Sequence, residues 1–471
     1  MYTYNFKDDK NEQIILSGTA KHFLFDQHDR SKNLKEWSSI ELAGFRVLFV
    51  FFLIQIVPWH PAFYQQVFSI NWLDPHFKSL LDLVTFLPEL VSTPKWGAWS
   101  FSNWFIYLTI SVFSAIVWGH YDKSSRQYYF LHYLLRAVVR YKLAFGLIAY
   151  GFYLLFQQHM PYPSLSNLHT NYGDLFAWKL YFQTTAINPA YESFLGFVEI
   201  LAGVLILYPK TVTFGTGLVL GFLGNVAMVN LFYSVGDHVY VNFLLLSSAF
   251  LFSYDIPRLY SLLVKGTKAV GEKFYPLWAA SRLRNVRRFL RAFAFVVLAF
   301  IGFRGYALVD APYKVPQSDG IEGSYGYYIP TEFKLNNNII PYSTTDPNRW
   351  QDVIFEKWST ISIKINRPIK LDISNGDGVE TNDLDRNYEI AGAGGRHYFS
   401  YTKDPSKDII YLQNKNINHQ TEKWNLSYSF PSDSTMVLEG TNERNDKLYV
   451  ELLRIDKKYF MYEGRRGRIK L

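Results

Sequence analysis

ESFLGFVEILAGVLILY (192–208), VTFGTGLVLGFLGNVAMVNLFY (212–233) and HVYVNFLLLSSAFLFSY (238–254) follow one another with almost no intervening loop. Each run is near the ~20 residues that cross ~30 Å of hydrocarbon at ~1.5 Å per residue, so Tyr191 to Pro257 reads as three membrane helices. Into them the chain sets Glu192, Glu199, Asn225, Asn230, His238 and Asn242, polar groups that hydrocarbon disfavours unless they face protein or a wet cavity. This hairpin of helices is the expected seat of function.

Working outward, apolar runs at roughly 40–58, 100–118, 143–159 and 291–309 add four spans, giving a helical membrane bundle of about seven transmembrane helices. PHFKSLLDLVTFLPEL (75–90) is amphipathic and too short to cross, so it is expected to lie along or dip into the interface. YYFLHYLLRAVVRYK (128–142) pairs apolar with basic positions and reads as a separate helix resting on anionic lipid before the third span enters. Lysine and arginine concentrate in alternate connections. One set holds Lys32 and Lys35, then Lys123, Arg126, Arg136, Arg140 and Lys142, then Lys210, then the run from Arg258 to Arg288; the other holds Lys78, Lys95 and Lys179. By the positive-inside rule the N-terminus is cytoplasmic and the C-terminus lies outside. Met1 to Trp37 has no apolar core followed by a cleavage site, so the first span is expected to act as the targeting signal.

Beyond Asp310 the pattern changes. TISIKI, HYFSYT, DIIYL, WNLSYSF, TMVLEG and KLYVELLRI alternate apolar and polar residues between Asn, Asp, Gly and Pro clusters. A separate all-β domain of eight to ten strands is expected, closed as a barrel or sandwich and tethered through Ala311 to Gln317. The expected divisions are a cytoplasmic segment 1–37, a bundle 38–260, a basic segment with the last span 261–310, and an extracytoplasmic β domain 311–471.

The chain of 471 residues averages a polar last third against a very apolar first part, and 18% of it is aromatic. Its net charge of +8 falls largely in loops between spans, where it encodes topology rather than nucleic-acid binding. With no cysteine, thiolate catalysis, disulfides and Cys-ligated metals are excluded. His60, His120, His159 and His238 lie at span ends rather than facing each other at haem depth. The GAGG run at Gly392 and the DISNGDG run at Asp372 lack the context of a phosphate or calcium loop and read as turns, so no metal site is expected.

Glu192, Gly196, Glu199 and Gly203 recur at four, three and four, on one helix face where small residues admit a neighbour. Gly217, Gly221, Gly224 and Asn225 form a similar face on the next span. Glu192, Asn230, Tyr233, His238 and Asn242 fall at comparable depth toward the outside, either as a ligand pocket or as interhelical hydrogen bonds. Arg46, about 10 Å into the first span by helix rise, needs a partner, and Glu199 near mid-membrane is the expected one. No catalytic residue stands out.

LHYLLRAVVRYKLAFGLIAYGF (131–152), MPYPSLSNLHTNYGD (160–174) and AYESFLGFVEILAGVLILYPKTVTFGTGLVLGFLGNVAMVNLFY (190–233) resemble the DoxX-like family of bacterial membrane proteins over roughly Ile40 to Leu259. The strands resemble the extracytoplasmic β domain of its long members, and the core is also similar to vitamin K-dependent carboxylase-like membrane proteins. The family's glutamate-glycine helix matches Glu199 and Gly203, and its asparagine helix matches Asn225 and Asn230. Where relatives carry a lysine after the Tyr-Gly-Phe this chain has Leu154, and where they carry Tyr-Asp it has Tyr233-Ser234. The resemblance therefore implies an envelope component that anchors a β domain for a protein partner, or a redox-linked subunit binding a quinone or similar lipid in an outward-facing pocket. No other cofactor is evident.

Overall fold

In the computed structural model the described residues are 36–94, 96–122, 127–236, 238–267, 281–307, 314–378, 380, 382–404 and 406–463. Nearly all of the expected N-terminal segment, and much of the basic segment and tether, lie outside them.

Helix α1 (Ser39–Ile56) starts on a capping box, with Glu41 N–H donating to Ser38 Oγ at 3.3 Å and Ser38 N–H to Glu41 Oε2 at 2.6 Å. It stops at Val57, which is extended before Pro58. Then come α2 (Pro61–Ser69), the short α3 (Phe77–Thr85), α4 (Ser102–Tyr121), α5 (Tyr129–Leu155), α6 (Leu165–Leu168), α7 (Ala177–Ala186), α8 (Pro189–Leu207), α9 (Val212–Phe232), α10 (His238–Ser253), α11 (Ile256–Leu263) and α12 (Ser281–Ala307). Six spans among the described residues, α1 with α2, α4, α5, α8, α9 and α12, are long and apolar enough to cross a membrane; α10 and α11, bent by 61°, make a seventh if taken as one span. Phe113 on α4, Phe214 on α9 and Phe300 on α12 point away from the protein, as a lipid-facing surface requires.

Helix α5 is the axis of the bundle. Its Leu135, Val139, Leu143 and Leu147 form one buried stripe at i, i+4, and that stripe runs straight through the position where an interfacial helix was expected to give way to a span. The two are therefore a single 27-residue helix. Its basic residues are taken up by protein. Arg136 lies 3.6 Å from the Tyr254 ring, and Lys142 Nζ donates at 2.8 Å to the Val84 and Phe86 carbonyls at the end of α3.

α5 and α8 cross with their backbones touching. A Cβ on Gly196 would lie 2.4 Å from the Gly151 carbonyl oxygen, and one on Gly203 would lie 2.9 Å from that of Ala144, so the expected small-residue face is the contact. On α9 the expected glycine face is not. Gly221 and Gly224 have nothing within 4 Å; the close approach is Gly215, whose Cβ would lie 3.0 Å from the Ala202 carbonyl.

The C-terminal part is a closed antiparallel barrel. β1 (Gly326–Leu335) carries a two-residue appendage β2 (Asn338–Ile339). β3 (Trp350–Phe355), β4 (Thr360–Ile365), β5 (His397–Asp404), β6 (Ile409–Asn414), β7 (Lys423–Ser432), β8 (Thr435–Thr441) and β9 (Lys447–Ile455) follow in order, and β9 pairs back to β1 from Tyr327↔Ile455 to Leu335↔Leu448. Eight strands thus close without a free edge. Alternate residues fill the interior: Met436 and Leu438 on β8, Val450 and Leu452 on β9, with Trp350 stacked on Trp424 at 5.4 Å.

The barrel does not hang on a free tether. Lys314, inside the expected linker, is wholly buried against the helices.

Candidate functional site

The charged chemistry of the molecule concentrates where the barrel meets the bundle. The loop after α5 lies on the barrel wall. There Glu356, immediately after β3, accepts from Ser166 N–H at 2.7 Å and Ser166 Oγ at 2.6 Å through one oxygen, and from Leu165 N–H at 3.2 Å through the other. Ser362 donates to Ser166, Asn167 donates to the Glu389 carbonyl at 2.9 Å, and His169 stacks on Tyr327 at 4.0 Å. Two backbone bonds, Phe176 N–H to Gly392 O at 2.8 Å and Gly394 N–H to Asp174 O at 2.7 Å, extend the seam. Gly392 has φ +67°, and a Cβ there would sit 2.6 Å from the Trp178 ring, so the GAGG turn is shaped to receive α7.

Next to that seam, two lysines are sealed from solvent. Lys179 donates to the Tyr388 carbonyl with its ammonium 3.6 Å from the Tyr388 ring, and burial holds it well below the ordinary lysine value. Lys314 donates to the His159 carbonyl at 2.7 Å and pairs with Asp377 Oδ1 at 2.7 Å, inside a cage of Tyr153, Phe182 and Tyr388. Burial works to raise Asp377, but Lys314 and then Lys78, 3.7 Å from its other oxygen, hold it well below the usual carboxylate range. Burial, helped by Lys314, pushes His159 down to about 3, so its imidazole is neutral.

Burial, with Glu389 nearby, pushes Glu356 up to about 7 from 4.5. The folded state then keeps this proton after the unfolded chain has released it, so the stability it contributes falls as pH rises from 4.5 through about 7. Glu356→Gln is expected to flatten that part of the thermal-midpoint profile; wild type and variant running parallel across the window would contradict it.

Under Asp377 opens a pocket of about 410 Å³. α3 contributes Lys78 and Asp82, paired at 2.5 Å; α1 contributes Gln55; Trp104, Tyr107, Tyr150, Tyr153 and Tyr240 form aromatic walls. Its rim is the strap carrying Glu89, tied down where Asn103 Oδ1 accepts from Leu90 and Val91 N–H and where Tyr107 donates to the Pro88 carbonyl at 2.6 Å. A smaller cavity of about 60 Å³, room for on the order of four waters, lies within the bundle beside Glu199, Asn230 and His159. Tyr150 and Tyr240 line both spaces.

Arg46 and Glu199 do not pair. Arg46 Nε and Nη2 donate to the Tyr128 hydroxyl at 3.1 and 2.7 Å, Nη2 also donates to the Asp122 carbonyl, and Tyr128 donates to Asp122 Oδ2 at 2.7 Å. In the second turn of α1 its long stem reaches the nearby α4–α5 turn, at the end of the bundle away from the barrel, more readily than mid-α8. Glu199 is buried, and its Oε2 has no hydrogen-bond partner among the described residues.

The five residues expected to share a pocket each have their own neighbours. Glu192 accepts from His159 and Met160 N–H at 3.3 and 3.1 Å, bracing the turn after α5. Asn230 donates to Val226 O and lines the inner cavity with its Oδ1 unpartnered; Tyr233 is exposed beside Tyr181. His238 Nε2 meets Ser100 Oγ at 2.5 Å, and Asn242 donates to the His238 carbonyl. Lys78, Asp82, Lys314 and Asp377 were not expected together. The Lys78/Asp82 spacing of four on an amphipathic helix was the one local signal.

Fold and site together define a membrane protein with six to seven candidate spanning helices among the described residues and a docked eight-stranded β-barrel. Compared with known proteins, the chain matches no family model, no curated protein and no solved structure.

Proposed function

We propose that the chain is a DoxX-like component of the bacterial inner membrane whose helices anchor the barrel and fix its attitude on the periplasmic side, where the barrel binds or helps assemble a protein partner. The observation that carries this is the junction: Glu356 on Ser166, Lys314 on the His159 carbonyl and Asp377 beside Lys78 are polar contacts between barrel and bundle that a freely swinging domain would not need. A reporter fused after Leu471 should read periplasmic and one near Gly266 cytoplasmic; the reverse pair removes the proposed orientation. Photocrosslinkers at Tyr342, Tyr411 and Phe430, exposed on the barrel, should capture protein in cells. Adducts with lipid alone would remove the partner role.

A second reading is favoured by the pocket beneath Asp377, which has the size of a small-molecule site. In it the protein is a redox-linked subunit that holds a quinone or similar lipid. Quinone extracted with the purified protein, and lost on filling the pocket by Leu81→Trp, would favour this reading over the first.

A further inference from the structure

We propose that the pocket between α1, α3, α4 and the barrel takes a ligand bearing a primary ammonium group, presented either as the headgroup of an amine lipid or as a free amine. The inference does not depend on the anchoring role or on a quinone. It names a different ligand chemistry.

The first observation is an orphan acceptor. Gln55 lines the pocket at 1% exposure; its Nε2 donates to the Phe51 carbonyl at 3.2 Å, and its Oε1 has no partner among the described residues. Only the amide nitrogen can donate to that carbonyl, so the side chain cannot turn over to hide the problem. A buried carbonyl oxygen without a donor destabilises the fold, and a ligand N–H would relieve it.

The second observation is the balance of charge. Among the described residues three carboxylates line the space, Asp82, Glu89 and Asp377, against one lysine, Lys78. Lys78 answers Asp82, and Lys314 from behind the wall answers Asp377. Glu89 on the strap is the charge left over, and it favours a cation. The walls agree: Trp104, Tyr150 and Tyr240 are aromatic lining, and aromatic rings attract cations. An anionic headgroup would meet the uncompensated charge of Glu89.

The geometry also distinguishes among cations. A quaternary ammonium has no N–H for Gln55, so a primary amine should be preferred over choline. Strap contacts at Asn103 and Tyr107 hold Glu89 at the rim without using its carboxylate.

The test uses full-length protein in detergent stripped of lipid. Titrated with ethanolamine in a calorimeter, it should show saturable binding; choline should bind at least roughly tenfold more weakly, the worth of about one charge-assisted hydrogen bond. In parallel, native mass spectrometry from mixed micelles should show phosphatidylethanolamine retained over phosphatidylglycerol if the amine arrives on a lipid, and no such preference if the free amine is the ligand. Glu89→Gln, at an exposed position, should fold normally and weaken ethanolamine roughly tenfold. Gln55→Leu should weaken ethanolamine while leaving choline unchanged. The proposal is overturned if neither probe saturates, if choline matches ethanolamine, or if phosphatidylglycerol is the lipid retained.

Discussion

Gly196→Val is expected to destabilise the membrane bundle by at least about 3 kcal/mol, the upper part of the range for overpacking a tight contact. The atoms in the way are backbone: a Cβ on Gly196 would sit 2.4 Å from the Gly151 carbonyl oxygen and 2.4 Å from the Leu155 nitrogen. No side-chain rotation relieves that. Either α8 moves away from α5, taking Glu192 from the His159 and Met160 amides, or the helix bends. Gly221→Ala is the matched control, because nothing lies within 4 Å of its Cβ and the exchange gains up to ~1 kcal/mol of helix propensity. Thermal midpoints in one detergent should therefore move in opposite directions, steeply down for Gly196→Val and flat or slightly up for Gly221→Ala. Equal shifts would mean that the α5–α8 crossing is looser than its backbone contacts imply.

That contrast bears on what a sequence can convey. The spacing of Glu192, Gly196, Glu199 and Gly203 marks a close-packing face because helical period alone puts them together. The glycines of α9 have an equally regular spacing, yet Gly221 and Gly224 face open space. Periodicity identifies a face; it does not say which neighbour the face meets. Length and hydropathy placed the spans for a similar reason, being properties of single segments, and alternation placed β4 to β9. β1 and β3 were not picked out: GYYIPTEFKL has a proline within the run, and WQDVIF is buried at nearly every position and so lacks alternation.

The ionic contacts were the least legible. Arg46 was assigned to the one carboxylate expected near its depth, whereas an arginine stem a turn or two from a helix end reaches polar groups beyond that end, here Tyr128 and the Asp122 carbonyl. The junction draws Lys78, His159, Lys314 and Asp377 from four distant segments. Two of these segments, a turn at 372–378 and a linker at 311–317, looked like plain connectors because their polar residues acquire meaning only when the barrel docks.

Docking rests on Lys314 and Asp377, and removing either should be felt strongly. Lys314→Met leaves Asp377 with Lys78 at 3.7 Å and the Tyr153 hydroxyl at 3.3 Å; Asp377→Asn leaves a wholly buried ammonium beside the His159 carbonyl and three rings. Losing one partner of a buried pair costs about 3–5 kcal/mol, and the lower end applies because Asp377 keeps 23% exposure. The double variant should be less damaging than the sum by about 1–2 kcal/mol, since neither charge is then stranded. Acid should act like the aspartate substitution. Asp377 has its carboxyl held below the ordinary 3.8, so its contribution is complete above that value and drains away as pH falls through the folded-state value. Glu356 acts in the opposite sense, losing its contribution as pH rises through about 7. The junction should accordingly be tightest at about pH 4 to 5, above the ordinary aspartate value and before Glu356 has lost much of its contribution, with protection factors at Leu165, Ser166 and Asn167 highest there while the barrel strands remain protected throughout. Additive single effects at Lys314 and Asp377, or protection factors at those three amides that do not change with pH, would show that the barrel is held by its apolar and backbone contacts and that the buried ion pair contributes little.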